Sequence, residues 1–148
     1  MFDIFVATHG TFADGLKDAV DVITGMADGI QTFKLGSSSI VEELGKDLEE
    51  KLKELNNEAG TIIFVDLLSA SPYNQSLLAI SQLPSEEQNN VHIIAGVNLP
   101  MVLDAINHRL LQTSVEEAVK LIQEQGRTGI GHWSAQLVNQ SDVDDDGF

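Results

Sequence analysis

The chain has no cysteine, three prolines, one tryptophan, one tyrosine and only eight lysines and arginines among its 148 residues. Each scarcity excludes something. Without cysteine there can be no disulfide, no thiol nucleophile and no thiolate-bound metal. Set against 23 acidic residues, the few basic ones leave a formal charge of −15. The basic footprint that a nucleic-acid backbone or an anionic membrane demands is therefore missing, and no nucleic-acid partner is expected. No apolar run approaches the ~20 residues of a bilayer span. Met1-Phe2-Asp3-Ile4 also opens without the basic region of a secretory leader. These absences point to a cytoplasmic protein. Nucleotide-binding fingerprints are lacking as well: there is no G-x-x-x-x-G-K-[ST] loop, and no G-x-G-x-x-G follows the first apolar run. G-x-S-x-G, the serine hydrolase elbow, is absent. The four histidines have no ligand-like spacing, so neither metal nor cofactor is expected.

What is present reads as one domain with alternating elements. Hydrophobic residues make up 43% of the chain, enough for a single core at this length. Residues 2–8 form an apolar run ending in His9-Gly10. Phe12, Leu16, Ala19, Val20 and Ile23 follow at helical spacing, closed by Gly25 and Gly29. Ile30–Leu35 is a second strand. Ser39 and Glu42 have capping-box spacing ahead of the stripe Val41, Leu44, Leu48, Leu52 and Leu55. Thr61–Val65, the most β-branched run, ends in Asp66. Ser71-Pro72 suits a helix start that runs to about Leu83, where Pro84 stops it. Val91–Ala95 is a fourth strand, and Asn98-Leu99-Pro100 begins another helix. Ser114 with Glu117 caps a further helix expected to end at Gly126, and Thr128 to Val138 has an ambiguous pattern that could be a strand. Residues 1–138 would be the single domain and 139–148 an acidic tail.

Four alternations with continuously apolar strands predict an α/β fold, a doubly wound, flavodoxin-like parallel sheet of order 2-1-3-4 covered on both faces by helices. In that order the winding reverses between strands 1 and 3, which opens a crevice at their carboxyl ends. His9 and Asp66 fall there. A carboxylate that accepts the Nδ1 proton of an imidazole leaves Nε2 with a free lone pair, able to attack phosphorus. Helices starting after Gly10, Ala70 and Asn98 would aim backbone N–H groups at the same crevice. Gly10, Thr11, Ser37, Ser69 and Ser71 are the expected phosphoryl-binding residues. His92, inside a strand, and His108, on a helix, read as structural, and His132 beside Trp133 as a packing or interface pair. A receiver domain would need an acidic pair where Thr8-His9 stands, and a histidine phosphatase would have Arg in place of Thr8.

Ala7-Thr8-His9-Gly10, Asp66-Leu67-Leu68-Ser69-Ala70-Ser71-Pro72-Tyr73-Asn74 and Gly96-Val97-Asn98-Leu99-Pro100-Met101 stand in order along the chain. Together they resemble the IIA component of the bacterial phosphotransferase system, mannose/fructose/sorbose family. The resemblance spans Met1 to about Val138. It implies that the phosphocarrier HPr phosphorylates His9, and that His9 passes the group to a histidine of a IIB component serving the membrane IIC and IID subunits. It further implies that Asp66 orients His9 and that Ser71 lines the phosphoryl pocket. A homodimer is implied too, in which Thr128–Leu137 would be an exchanged antiparallel strand. Leu67-Leu68-Ser69-Ala70 departs from the Phe-Gly-Gly common in the family, so a differently shaped cradle is expected. With no Ala/Pro-rich linker after the domain, a stand-alone IIA is expected. A regulatory or dihydroxyacetone-kinase-type phosphocarrier module, or an inert flavodoxin-like binding protein, are the competing readings.

Overall fold

The computed structural model describes residues 1–137. The elements run β1 (Asp3–His9), α1 (Phe12–Thr24), β2 (Ile30–Leu35), α2 (Val41–Leu55), β3 (Thr61–Val65), α3 (Ser71–Ser81), α4 (Ser85–Gln88), β4 (Val91–Ala95), α5 (Leu99–Leu110) and α6 (Val115–Thr128). The strands form one parallel sheet in the order β2-β1-β3-β4. Side chains alternate across a strand, so each face of the sheet carries its own core. Ile4, Val6, Ile62, Phe64 and Ile94 pack with Leu16 and Val20 of α1, Val102 and Ile106 of α5 and Ile122 of α6. Phe5, Ala7, Ile63 and Val65 pack with Leu44, Leu48 and Leu52 of α2 and Ala79 of α3. β3, central and covered on both sides, is buried at every position, which is why its sequence is apolar throughout rather than alternating.

The sheet order is the expected one, and β2, β3 and β4 occupy the expected residues. Helix ends differ more. α1 stops at Thr24 because Gly25 takes a left-handed φ of 67° and returns its N–H to the Asp21 carbonyl. Ser39 does not cap α2. Its Oγ accepts the Gly36 N–H at 2.9 Å instead, and α2 starts at Val41 behind Ile40 with no side-chain cap. Proximity in sequence lets the hydroxyl close the tight turn before a helix can use it. Ser114 does cap α6, accepting the Glu117 N–H.

The C-terminal segment departs furthest from expectation. Gly126 does not end α6; the helix continues to Thr128. Gly126 is buried against the Met101 side chain of α5, where a Cβ would collide with it, so this glycine permits close packing rather than stopping the helix. Beyond it, 129–134 has no regular structure and 135–137 is helical, so no strand forms over Thr128–Leu137 within the described residues. Val138 and the acidic tail lie outside them. Trp133 and Ile130 are solvent-exposed, as is His132, so among the described residues the His132–Trp133 pair takes no part in the core.

Candidate functional site

β1 and β3 are neighbours and run in parallel, with Ala7 opposite Val65. His9, two residues past Ala7 at the end of β1, and Asp66, one past Val65, are therefore brought near each other at the point where the winding reverses. There the His9 Nδ1 lies 2.8 Å from Asp66 Oδ2. A carboxylate can only accept, so Nδ1 carries the hydrogen and Nε2 is the free nitrogen. The same Asp66 Oδ2 accepts the His9 backbone N–H at 2.9 Å, while Oδ1 accepts the Leu67 N–H at 2.9 Å. Ring orientation and backbone position are thus fixed by one side chain. The exposures fit a reactive pair: the His9 side chain is 46% exposed and Asp66 only 12%. The base is open to a partner while its anchor is shielded.

Burial pushes the Asp66 carboxyl up, but the His9 N–H, the His9 ring and the Leu67 N–H outweigh it, and the group is held below the usual aspartate range. Asp66 is accordingly a firm anion at neutral pH. That is what an acceptor for an imidazole N–H requires.

The remaining expected residues share the same end of the sheet with different degrees of closeness. Gly10 adopts φ 55° and donates its N–H to the Leu35 carbonyl at 2.9 Å, carrying the β1–β2 ladder one step past the strand. This is a conformation that glycine takes without the Cβ penalty. Thr11 stands at the N-cap of α1 without bonding through its side chain. Ser69 and Ser71 lie in the β3–α3 connection and at the first turn of α3. Ser37 is exposed in the turn after β2. Among the described residues none of these hydroxyls bonds to His9 or Asp66. Ser69 has φ 64°, which costs a non-glycine residue about 1 kcal/mol. Its carbonyl is held by the Asn74 Nδ2 at 3.1 Å. The connection, which contains no glycine, therefore still adopts a glycine-like conformation at one position.

The chain and its fold have counterparts among known proteins. The family model described as "PTS system fructose IIA component" matches residues 3–123. The chain belongs to that family. The mannose-specific EIIAB component of the phosphotransferase system (PTS) of Escherichia coli K12 is 27% identical over 138 residues, covering 93% of this chain but 41% of the relative, so the chain spans less than half that protein. The fructose-specific EIIA component of Bacillus subtilis is 25% identical over 109 residues, covering 74% of this chain and 71% of the relative. Among solved structures, the phosphotransferase system component EIIA from Streptococcus agalactiae superposes with a TM-score of 0.74 at 21% identity, over 89% of this chain and 97% of that one.

For a member of the IIA family, several contacts around the histidine had no obvious sequence signal. Thr8 is fully buried and its Oγ1 accepts the Ala13 N–H at 2.8 Å. Asn98 caps α5 through Oδ1 to the Met101 N–H and reaches α6 through Nδ2 to the Gly126 carbonyl. A cleft of ≈ 490 Å³ opens from Asp66 along the outer strand, walled by Leu67, Leu68, Tyr73, Ile93 and Arg127. Leu67 and Leu68 are 59% and 69% exposed. The sequence marks Asn98 as a helix start but gives no sign that its amide crosses to α6, and Thr8 stands in an ordinary strand run. His92 and His108 stand apart from the site. His108 bonds Thr113 through Nδ1 and has Nε2 3.3 Å from Asp104 Oδ2, a local structural arrangement at the end of α5.

Proposed function

We propose that this IIA family member is a cytoplasmic phosphoryl carrier of a sugar phosphotransferase system, with His9 as the acceptor and donor of the phosphoryl group. The Nε2 lone pair attacks the phosphorus of phospho-HPr, the donor's N–P bond breaks, and the donor ring keeps the electron pair. Asp66 holds the Nδ1 proton throughout and stabilises the positive ring that forms. In the second half-reaction a IIB histidine attacks the same phosphorus and His9 returns to its starting form. IIB serves the membrane IIC and IID subunits, so this chain need not touch sugar. Gly10, Thr11, Ser69, Ser71 and Ser37 are proposed to surround the phosphoryl oxygens, with the N–H groups at the starts of α1, α3 and α5 adding donors. The observation that carries the reading is the 2.8 Å bond from His9 Nδ1 to a shielded Asp66, on a histidine side chain that is 46% exposed.

A homodimer with exchanged C-terminal segments belongs to the same proposal. β4 pairs only with β3 among the described residues, leaving an open outer edge. His92 Nε2 on that strand is buried without a hydrogen-bond partner. Both fit a sheet completed by another chain.

Incubation with enzyme I, HPr and phosphoenolpyruvate should place one acid-labile, alkali-stable phosphoryl group on the protein. His9→Ala should abolish it, and labelling that persists in this variant would end the assignment. Asp66→Asn should slow transfer by at least about tenfold, because an amide can donate to Nδ1 and favour the wrong tautomer.

A further inference from the structure

Thr8 is a buried polar side chain for which the transfer chemistry has no direct use. It stands in β1 one residue before His9, and side-chain alternation puts it on the same strand face as Ile4 and Val6, the face that packs on α1. A hydroxyl in such surroundings is costly unless it is bonded. Its Oγ1 accepts the Ala13 N–H at 2.8 Å. Ala13 is the second residue of α1, and the N-cap residue Thr11 makes no side-chain capping bond. The helix is capped from within the core, by a strand residue five positions back. The bond encloses His9, Gly10, Thr11 and Phe12.

Two further bonds hold the same short loop. The His9 N–H goes to Asp66 on β3, and the Gly10 N–H goes to Leu35 at the end of β2. The backbone bearing the imidazole is therefore tied on three sides, to β3, to β2 and to α1, and Thr8 supplies the third tie. Without it the start of α1 and the loop could drift as a unit. Asp66 would then follow the ring imperfectly, because it fixes the backbone and the Nδ1 with one oxygen.

We propose that Thr8 is a positioning residue for His9. Its hydroxyl holds the first turn of α1 against β1, so that the ring meets Asp66 through Nδ1 while Nε2 and the N–H groups of the α1 start face the incoming phosphoryl group. The inference rests on the reading of His9 as the phosphoryl acceptor. A Thr8 that merely fills the core predicts a different ranking of variants, and the two ideas separate there.

Thr8→Val keeps the shape and removes the acceptor, whereas Thr8→Ser keeps the acceptor and removes a methyl. Core filling ranks Val above Ser; positioning ranks Ser above Val. Single-turnover transfer from phospho-HPr should fall ~tenfold or more in Thr8→Val, since small displacements of a reacting group are costly. Thr8→Ser should stay within about threefold of the parent even while unfolding at lower urea. In Thr8→Val the Ala13 amide should exchange faster with deuterated solvent. Its His9 ring nitrogen shifts, read in mildly alkaline buffer, should show a mixture of tautomers in place of one. Should Thr8→Val not fold, Thr8→Ala against Thr8→Ser makes the same comparison, because both lack the methyl and only Ser keeps the acceptor. Wild-type transfer by Thr8→Val or Thr8→Ala, or a Thr8→Ser as slow as either, overturns the proposal. If the parent protein takes no phosphate, the phosphoryl reading fails on its own. The ring shifts still decide on Thr8: an unchanged tautomer population in Thr8→Val rejects the positioning role.

Discussion

Asp66 concentrates two duties in one carboxylate, since it orients an exposed imidazole and pins the backbone of the same residue. Its charged form is better held in the folded chain than in the unfolded one, because its carboxyl is depressed below the ordinary range. The resulting stability is fully present above the unfolded-state pKa of about 3.9 and is lost as pH falls through the lower folded value. Asp14, whose carboxyl is lowered first of all by a hydrogen bond to Lys34, acts in the same direction at an exposed site, where solvent screens it. Asp66→Asn should therefore flatten the acid limb of the stability profile. Urea midpoints measured between pH 5 and pH 3, approximate bounds set by the carboxylate range, should fall less steeply in the variant. Equal slopes would show that the His9 contacts contribute nothing to folding.

Among the elements, α5 and α6 are joined by one asparagine in addition to their apolar packing. Asn98 Oδ1 caps α5 on the Met101 N–H at 3.1 Å, and its Nδ2 crosses to the Gly126 carbonyl of α6 at 3.0 Å. Gly126, without a side chain, lets Met101 lie against α6. Capping and bridging are each worth about 1 kcal/mol. Asn98→Ala should thus cost roughly 2 kcal/mol in chemical unfolding, and Asn98→Asp, which keeps the cap and loses the bridge, about half of that. A cost below about 0.5 kcal/mol for Asn98→Ala would mean that neither bond matters in solution. The helices on the other face need no such device. α2 and α3 meet the sheet through the apolar stripe Leu44, Leu48, Leu52 and Ala79, which the helical period of the sequence already displays.

At the scale of the whole molecule, both edges of the sheet are open among the described residues, and β4 carries an apolar wall of the cleft that begins at Asp66. The proposed exchange of C-terminal segments would cover that edge. A chain ended at Thr128 should then sediment as a monomer where the full chain sediments as a dimer. A truncated dimer would assign the interface elsewhere. The acidity of the molecule, −15 overall, bears on partners rather than on fold.

The strand runs, their parallel order and the meeting of His9 with Asp66 were legible in the residues themselves. Continuous apolar runs, helical spacing and right-handed crossovers leave one economical winding, and that winding joins the ends of β1 and β3. The reading was poorest where local signals compete with packing. Ser39 had the spacing of a cap and closed a turn, Gly126 had the look of a helix stop and became a contact point, and Thr128–Leu137 looked extended and formed no strand in the described chain. Thr8 gave no sign at all, and Asn98, read as a helix start, gave none of its second bond to α6. Periodicity along a chain reports which face is buried, because hydrophobic burial sums over many residues. The destination of a single hydroxyl or amide is decided by a neighbour that only the folded chain brings within hydrogen-bonding distance.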